Sequence, residues 1–143
     1  MDTSVIGGCC DEEFCEESRG LLQMAREGKA TLLISDILVD ELELAPAQVQ
    51  AEFAAIPADS LEALFSSEES ERLRDAYLEA CVLGPARSND AHHVALATIA
   101  RADLMISWNF KHILHFEKIR GFNAVNLLEG YAAIEIHSPK EII

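Results

Sequence analysis

The sequence predicts an α/β fold in which a parallel sheet is covered by helices on both faces. Three observations predict it. Two short apolar runs, Thr31-Leu-Leu-Ile and Ala102-Asp-Leu-Met-Ile, have the length of buried parallel strands. The residues between and around them show helical spacing with start and stop signals. At 143 residues, half of them apolar, the chain has the size of one domain, residues 1–143, and enough apolar content to bury a core without staples.

Taken in order, Phe14, Leu21, Leu22 and Met24 sit among polar residues at helical spacing and Gly28 supplies a stop, so residues 11–27 read as a helix. The first strand follows at 31–34. Ser35 is placed to cap a helix over 36–44, and Pro46 opens another over 46–55. Helices over 67–82 and 89–101 precede the second strand at 102–106. The tail Ala133-Ile-Glu-Ile-His alternates like a final strand, and Ser138-Pro139 turns the chain into a short closing stretch. Asn123 and Asn126 read as turn or cap residues flanking a short extended piece. No internal repeat or low-complexity linker interrupts the pattern.

The chain carries 25 acidic and 11 basic side chains, a formal net charge of -14, which excludes a histone-like or polybasic binder. The imbalance lies in residues 1–80, with 19 acids and 5 bases; residues 81–143 carry 6 of each. Any phosphate contact is therefore expected from the second half, where Arg87, Arg101, Lys111, Lys118 and Arg120 are available. No apolar run reaches the roughly 20 residues that cross a bilayer, and the N-terminus has no signal-peptide pattern, so a cytoplasmic protein is expected. Cys9, Cys10, Cys15 and Cys81 fit no common zinc spacing and read as reduced, inert thiols.

In parallel sheets, ligands bind beyond the carboxyl ends of the strands. Ser35 and Ser107 each close an apolar run there. Glu41, between Val39 and Leu42, must turn outward or meet a cation. Asp90 opens an almost wholly apolar helix, where the helix dipole alone favours a carboxylate. Asp2, Glu41 and Asp90 all fall at element ends near one sheet edge, and such hard oxygen donors suit Mg²⁺ or Mn²⁺.

The ordered set Asp2-Thr3-Ser4-Val5, Ser35 to Glu41-Leu42, Asn89-Asp90 leading into His93-Val-Ala-Leu-Ala, Ala102 to Asn109, and Ser138-Pro139-Lys-Glu resembles the PIN domain family. The run Ser107-Trp-Asn-Phe-Lys-His is similar to a VapC-like bacterial ribonuclease subgroup. The resemblance implies a three-layer α/β/α sandwich and a metal-dependent ribonuclease, in some members a toxin held by an antitoxin protein. It makes Asp2, Glu41 and Asp90 the metal ligands and places Asn109 where the family has a further aspartate. Thr3, Ser4 and Ser107 then orient the carboxylates or metal-bound waters, and Lys111, His112 and Arg87 are the candidate RNA contacts. A catalytically weak binding module on the same fold is the alternative.

Two departures from the family pattern stand out: Asn109 is neutral, and Met1 directly precedes Asp2 where a first strand is usual. A strand of about five residues ahead of Asp2 is expected, with Met1 to Ile6 as a shortened strand the alternative. His93 reads as a core or hydrogen-bonded histidine, and Trp108 as a packing residue with base stacking the second reading. His112 and His115 either meet phosphate or lie idle on the surface, and His137 reads as incidental. Residues 46–82 hold more apolar side chains than a peripheral hairpin needs, so part of them is expected to face a partner. A symmetric homodimer is expected.

Overall fold

The computed structural model describes residues 1–143 and has the element order α1 (Thr3–Gly8), α2 (Cys15–Arg26), β1 (Leu32–Ser35), α3 (Asp36–Glu43), α4 (Ala47–Ala54), β2 (Leu61–Leu64), α5 (Glu68–Glu79), α6 (Ser88–Ile99), β3 (Met105–Ile106), α7 (Phe116–Leu128), β4 (Ile136–His137) and α8 (Pro139–Ile142). All strand pairing is parallel, so the α/β class holds. The expected continuous sheet is instead two ladders: β1 pairs β2 with Leu32 opposite Leu61, and β3 pairs β4 with Met105 opposite Ile136. Met1 and Asp2 tie the ladders together. The Met1 ammonium donates to the Leu33 carbonyl at 3.5 Å, and the Asp2 amide donates to the Ile106 carbonyl at 3.2 Å. Behind this dipeptide an open groove of about 690 Å³ runs between β1 and β3, lined by Leu33, Leu96, Ala100, Leu104 and Ile106 among others.

Local chemistry explains most boundaries. Residues 3–8 are helical, which corrects the reading of Met1 to Ile6 as a strand. Gly8 is required there: a Cβ would come within 2.4 Å of Ser18 Oγ and 2.8 Å of Trp108 Nε1. The second helix starts at Cys15 rather than residue 11, because the Asp11 carboxylate accepts from the Glu13 amide and holds a turn in place of a helical start. Gly28, at φ +73°, ends it with Lys29 bonded back to Met24 and Gly28 to Ala25. Ser35 Oγ accepts from the Leu38 amide, the expected cap of α3. The α3 to α4 corner is held by Gln50, whose amide donates to the Leu42, Glu43 and Ala45 carbonyls. Cys81 at φ +58° and Arg101 at φ +55° close the turns after α5 and α6.

Three elements correct the sequence reading. Strand β2 lies between the helices read over 46–55 and 67–82, where the sequence assigned no element; it is built from Leu61-Glu-Ala-Leu, whose residues favour helix and become a strand by pairing with β1. Asn123 and Asn126 lie within helix α7 rather than beside an extended piece. Asn123 instead clasps the Ile134 amide and carbonyl, and buried Asn126 accepts from the Tyr77 hydroxyl at 2.5 Å. The second strand is confined to Met105–Ile106, since residues 102–104 border the groove and have no strand partner on that side.

Two apolar clusters of 14 buried residues make the core. One gathers α1, α2, β1 and α3 around Ile6, Leu22, Leu38 and Trp108; the other packs α5, α6 and α7 around Tyr77, Val94 and Phe122. Residues 91–98 of α6 are buried in succession, as its sequence predicts. Much of the apolar content of 46–82 also goes inside, including Val49, Leu73 and Tyr77, while Phe65 remains 74% exposed. No helix is long and apolar enough to cross a membrane.

Candidate active site at the head of helix α6

Asp2 sits just before α1, where the two ladders meet, and is buried. Both carboxylate oxygens are held by hydroxyls. The Ser4 hydroxyl donates to Oδ1 at 2.6 Å and the Ser107 hydroxyl to Oδ2 at 2.9 Å. These serines are themselves fixed: Ser4 Oγ accepts from the Trp108 amide at 2.8 Å and Ser107 Oγ from the Asn109 amide at 2.9 Å. Burial pushes the Asp2 carboxyl above its ordinary range, against the opposing pull of His93, the two hydroxyls and the amino terminus. Burial likewise lowers the basicity of the Met1 amine, with neighbouring Asp2 working the other way. An acid held this way has fixed geometry and a charge that its neighbours only partly offset against burial, a setting in which a cation would add stabilisation.

Glu41 reaches the same region from α3. It turns inward rather than out to solvent: it bonds His93 Nε2, and the Thr3 hydroxyl donates to it at 3.0 Å. Burial disfavours its charge, but the His93 and Thr3 hydrogen bonds and the His93 charge outweigh this and hold its pKa below the usual carboxylate value. His93 is thus the hydrogen-bonded, buried histidine expected from sequence, bonded to Glu41 and felt electrostatically at Asp2. Its partner, 52 residues away, carries no local sequence signal.

Asp90 lies one turn before His93 on α6, half-buried, with no hydrogen bond or ion pair of its own. The structure bonds Glu41 to His93 and to Thr3, the residue next to Asp2, but no three His, Cys, Asp or Glu side chains converge as a ready ligand set. Asn109 is engaged elsewhere, its carboxamide oxygen accepting from the His112 amide at 3.0 Å as a turn cap. Around Asp90 and His112 the positive charges gather. Arg87, Lys111 and Lys118 all act on the His112 imidazole, whose pKa is lowered first by desolvation and then by these cations, while Asp90 opposes them.

The remaining candidates resolve into structure. Trp108 is 7% exposed, stacks on Phe14 with ring centroids 4.3 Å apart, and donates Nε1–H to Ser18 Oγ at 2.8 Å, the packing role expected of it. His115 caps α7 through Nδ1, and His137 contacts Glu135 and Glu141. The four cysteines are free, and the buried Cys9 thiol is pushed up to about 11 by burial first and nearby Glu52 second, which makes it inert near neutral pH.

A family model described as PIN domain matches residues 1–111, more than three quarters of the chain and all of the residues just described except His112, His115, Lys118, Glu135, His137 and Glu141. The chain belongs to the PIN domain family. PIN domains are typically nucleases that bind nucleic acid and usually use divalent metal ions. Comparisons with curated proteins and with solved structures returned no match. The donor chemistry of this PIN domain fits a hard cation: all candidate ligand atoms are carboxylate oxygens, and those of Asp2 are oriented by hydroxyls.

Proposed function

We propose that this PIN domain is a Mg²⁺- or Mn²⁺-dependent endoribonuclease. The observation that carries the reading is the buried Asp2 carboxylate, fixed at both oxygens by Ser4 and Ser107, with Glu41 of α3 held by His93 and by Thr3, the residue next to Asp2. Asp2, Glu41 and Asp90 would hold the ion, which supplies acidification of an attacking water and charge neutralisation at the phosphate. The chain's own contribution is orientation. Ser4 and Ser107 aim Asp2, and Thr3 and His93 restrain Glu41. Arg87, Lys111 and His112 face the phosphate backbone beside Asp90. Cleavage of a mixed RNA pool in Mn²⁺, with chelator and metal-free controls, tests it. Activity that requires Mn²⁺ and disappears in Asp2→Asn supports the reading; RNA left intact by the wild type overturns it.

A specific pair of observations favours a second reading, a PIN-fold binding module with weak catalysis. No three ligand side chains converge, and Asn109 caps a turn in place of adding a fourth acid. RNA binding without Mn²⁺-dependent cleavage selects this reading. For assembly, we propose a symmetric homodimer through the apolar surface that residues 46–82 leave open, where Phe65 is 74% exposed, with an antitoxin protein as a further partner of a toxin-type enzyme. Sedimentation as a 15.7 kDa species at micromolar concentration overturns the dimer.

A further inference from the structure

The loop that follows β3 leaves one aromatic ring open to solvent. Phe110 is 51% exposed, although it belongs to a trio of rings: its centroid lies 6.0 Å from Trp108 and 6.2 Å from Phe14, and those two stack on each other. The inner pair is locked. Trp108 is anchored by its indole N–H on Ser18 and by its backbone amide on Ser4, the same hydroxyl that holds Asp2. Phe110 therefore stands on a rigid base, three residues from the serine that orients the candidate site acid. Burying a ring at this position would be the ordinary outcome of folding; an outer ring held against two others and left half open has its free face available for another flat group.

Charge narrows what that group is. In a chain of net charge -14, Lys111 is adjacent to Phe110, and Arg87 and Lys118 join it around His112. A polymer that presents a flat aromatic surface beside repeated negative charges matches this pairing of ring and cations, which is the chemistry of an unstacked nucleobase with its phosphates. A duplex keeps its bases stacked within the helix and offers none to the ring.

We propose that Phe110 is a nucleobase-stacking platform at the rim of the candidate active site, and that the ligand it selects is single-stranded RNA. The proposal rests on the endoribonuclease reading for its substrate, but its test does not require cleavage. A short fluorescein-labelled single-stranded RNA is titrated with the full chain in EDTA, beside the same sequence held in a duplex. Phe110→Ala and Phe110→Leu are expected to weaken single-strand binding by about 5- to 100-fold, the effect of losing one base–aromatic stack. Phe110→Trp is expected to restore it. Trp108 is the single tryptophan of the chain, so wild-type emission is expected to change on binding of the single strand and not with the duplex. Equal affinity of wild type, Phe110→Ala and Phe110→Leu overturns the platform, as does tighter binding of the duplex or no binding of the single strand. Wild-type binding that depends on Phe110, with no cleavage in Mn²⁺, leaves the platform standing and removes the nuclease reading. Cleavage and binding that are indifferent to Phe110 do the reverse.

Discussion

The Ser107 hydroxyl donates to Asp2 Oδ2 at 2.9 Å, joining residues 105 positions apart. Ser107 follows β3 directly, so this bond fixes the candidate acid to the end of a strand. Both residues are buried, and loss of the hydroxyl leaves a carboxylate oxygen without that donor, which costs about 1–3 kcal/mol. Ser107→Ala is expected to lose that much stability in urea denaturation at neutral pH. A loss within about 0.5 kcal/mol of zero would show that Asp2 finds another donor.

Divalent metal is expected to stabilise the fold by mass action, by about 2.7 kcal/mol at a hundredfold excess over Kd. Asp90→Asn is expected to abolish that stabilisation and any cleavage together. Asn109→Asp is expected to tighten Mn²⁺ binding, since a carboxylate still caps the His112 amide while adding charge. Calorimetric titration with Mn²⁺ measures both. Unchanged affinity in Asp90→Asn reduces Asp90 to a first-turn helix acid.

Stability is expected to fall on mild acidification because of His92. This residue is buried against Ser70 Oγ at 2.9 Å, and its pKa is lowered from 6.5 by desolvation first and by Arg74 second, with Asp36 and Glu71 opposing. A histidine less basic in the folded chain than in the unfolded one takes up protons preferentially on unfolding. Its contribution is complete above pH 6.5 and drains away as pH drops below that value, at up to about 1.4 kcal/mol per unit. Unfolding free energies at pH 7 and pH 5.5 for wild type and His92→Gln should differ in slope; parallel slopes would remove His92 as the cause.

The groove between β1 and β3 yields an engineering prediction. Fusing about five apolar β-branched residues ahead of Met1 places an extended segment where it can pair with both ladders, and converts the half-buried Met1 ammonium into an amide. The melting temperature is expected to rise by at least ~4 °C, equivalent to about 1 kcal/mol. An extension of the same length with two prolines, which cannot donate to a ladder, is the control and should give no gain. Equal effects from both extensions would show that the groove is not a pairing site.

Much of the fold was legible wherever a local signal sets it. Ser35 as a cap, Gly28 as a stop and the apolar run of α6 each act within a few residues, and the structure bears out all three. Long-range pairing is what sequence hides. Nothing in Leu61-Glu-Ala-Leu marks a strand until β1 lies beside it, and α7 is masked by Gly121 and two asparagines whose partners are Ile134 and Tyr77. The candidate acids Asp2, Glu41 and Asp90 stood out in the sequence because each lies at the end of an apolar element. That Glu41 meets His93, or that Asn109 serves as a cap, was not, since both depend on how α3, α6 and the loop after β3 come together.

The bridge made by Met1 and Asp2 has a bearing on synthesis. Met1 and Asp2 find their partners far down the chain at Leu33 and Ile106, and Asp2 gains its second hydroxyl only from Ser107. Translation at about 5–20 residues per second then separates the appearance of Asp2 from that of Ser107 by several seconds. Through that interval the nascent chain carries an acid that no pocket surrounds. Any hydrolytic competence of this chain is therefore born late, only once Ser107 has been made.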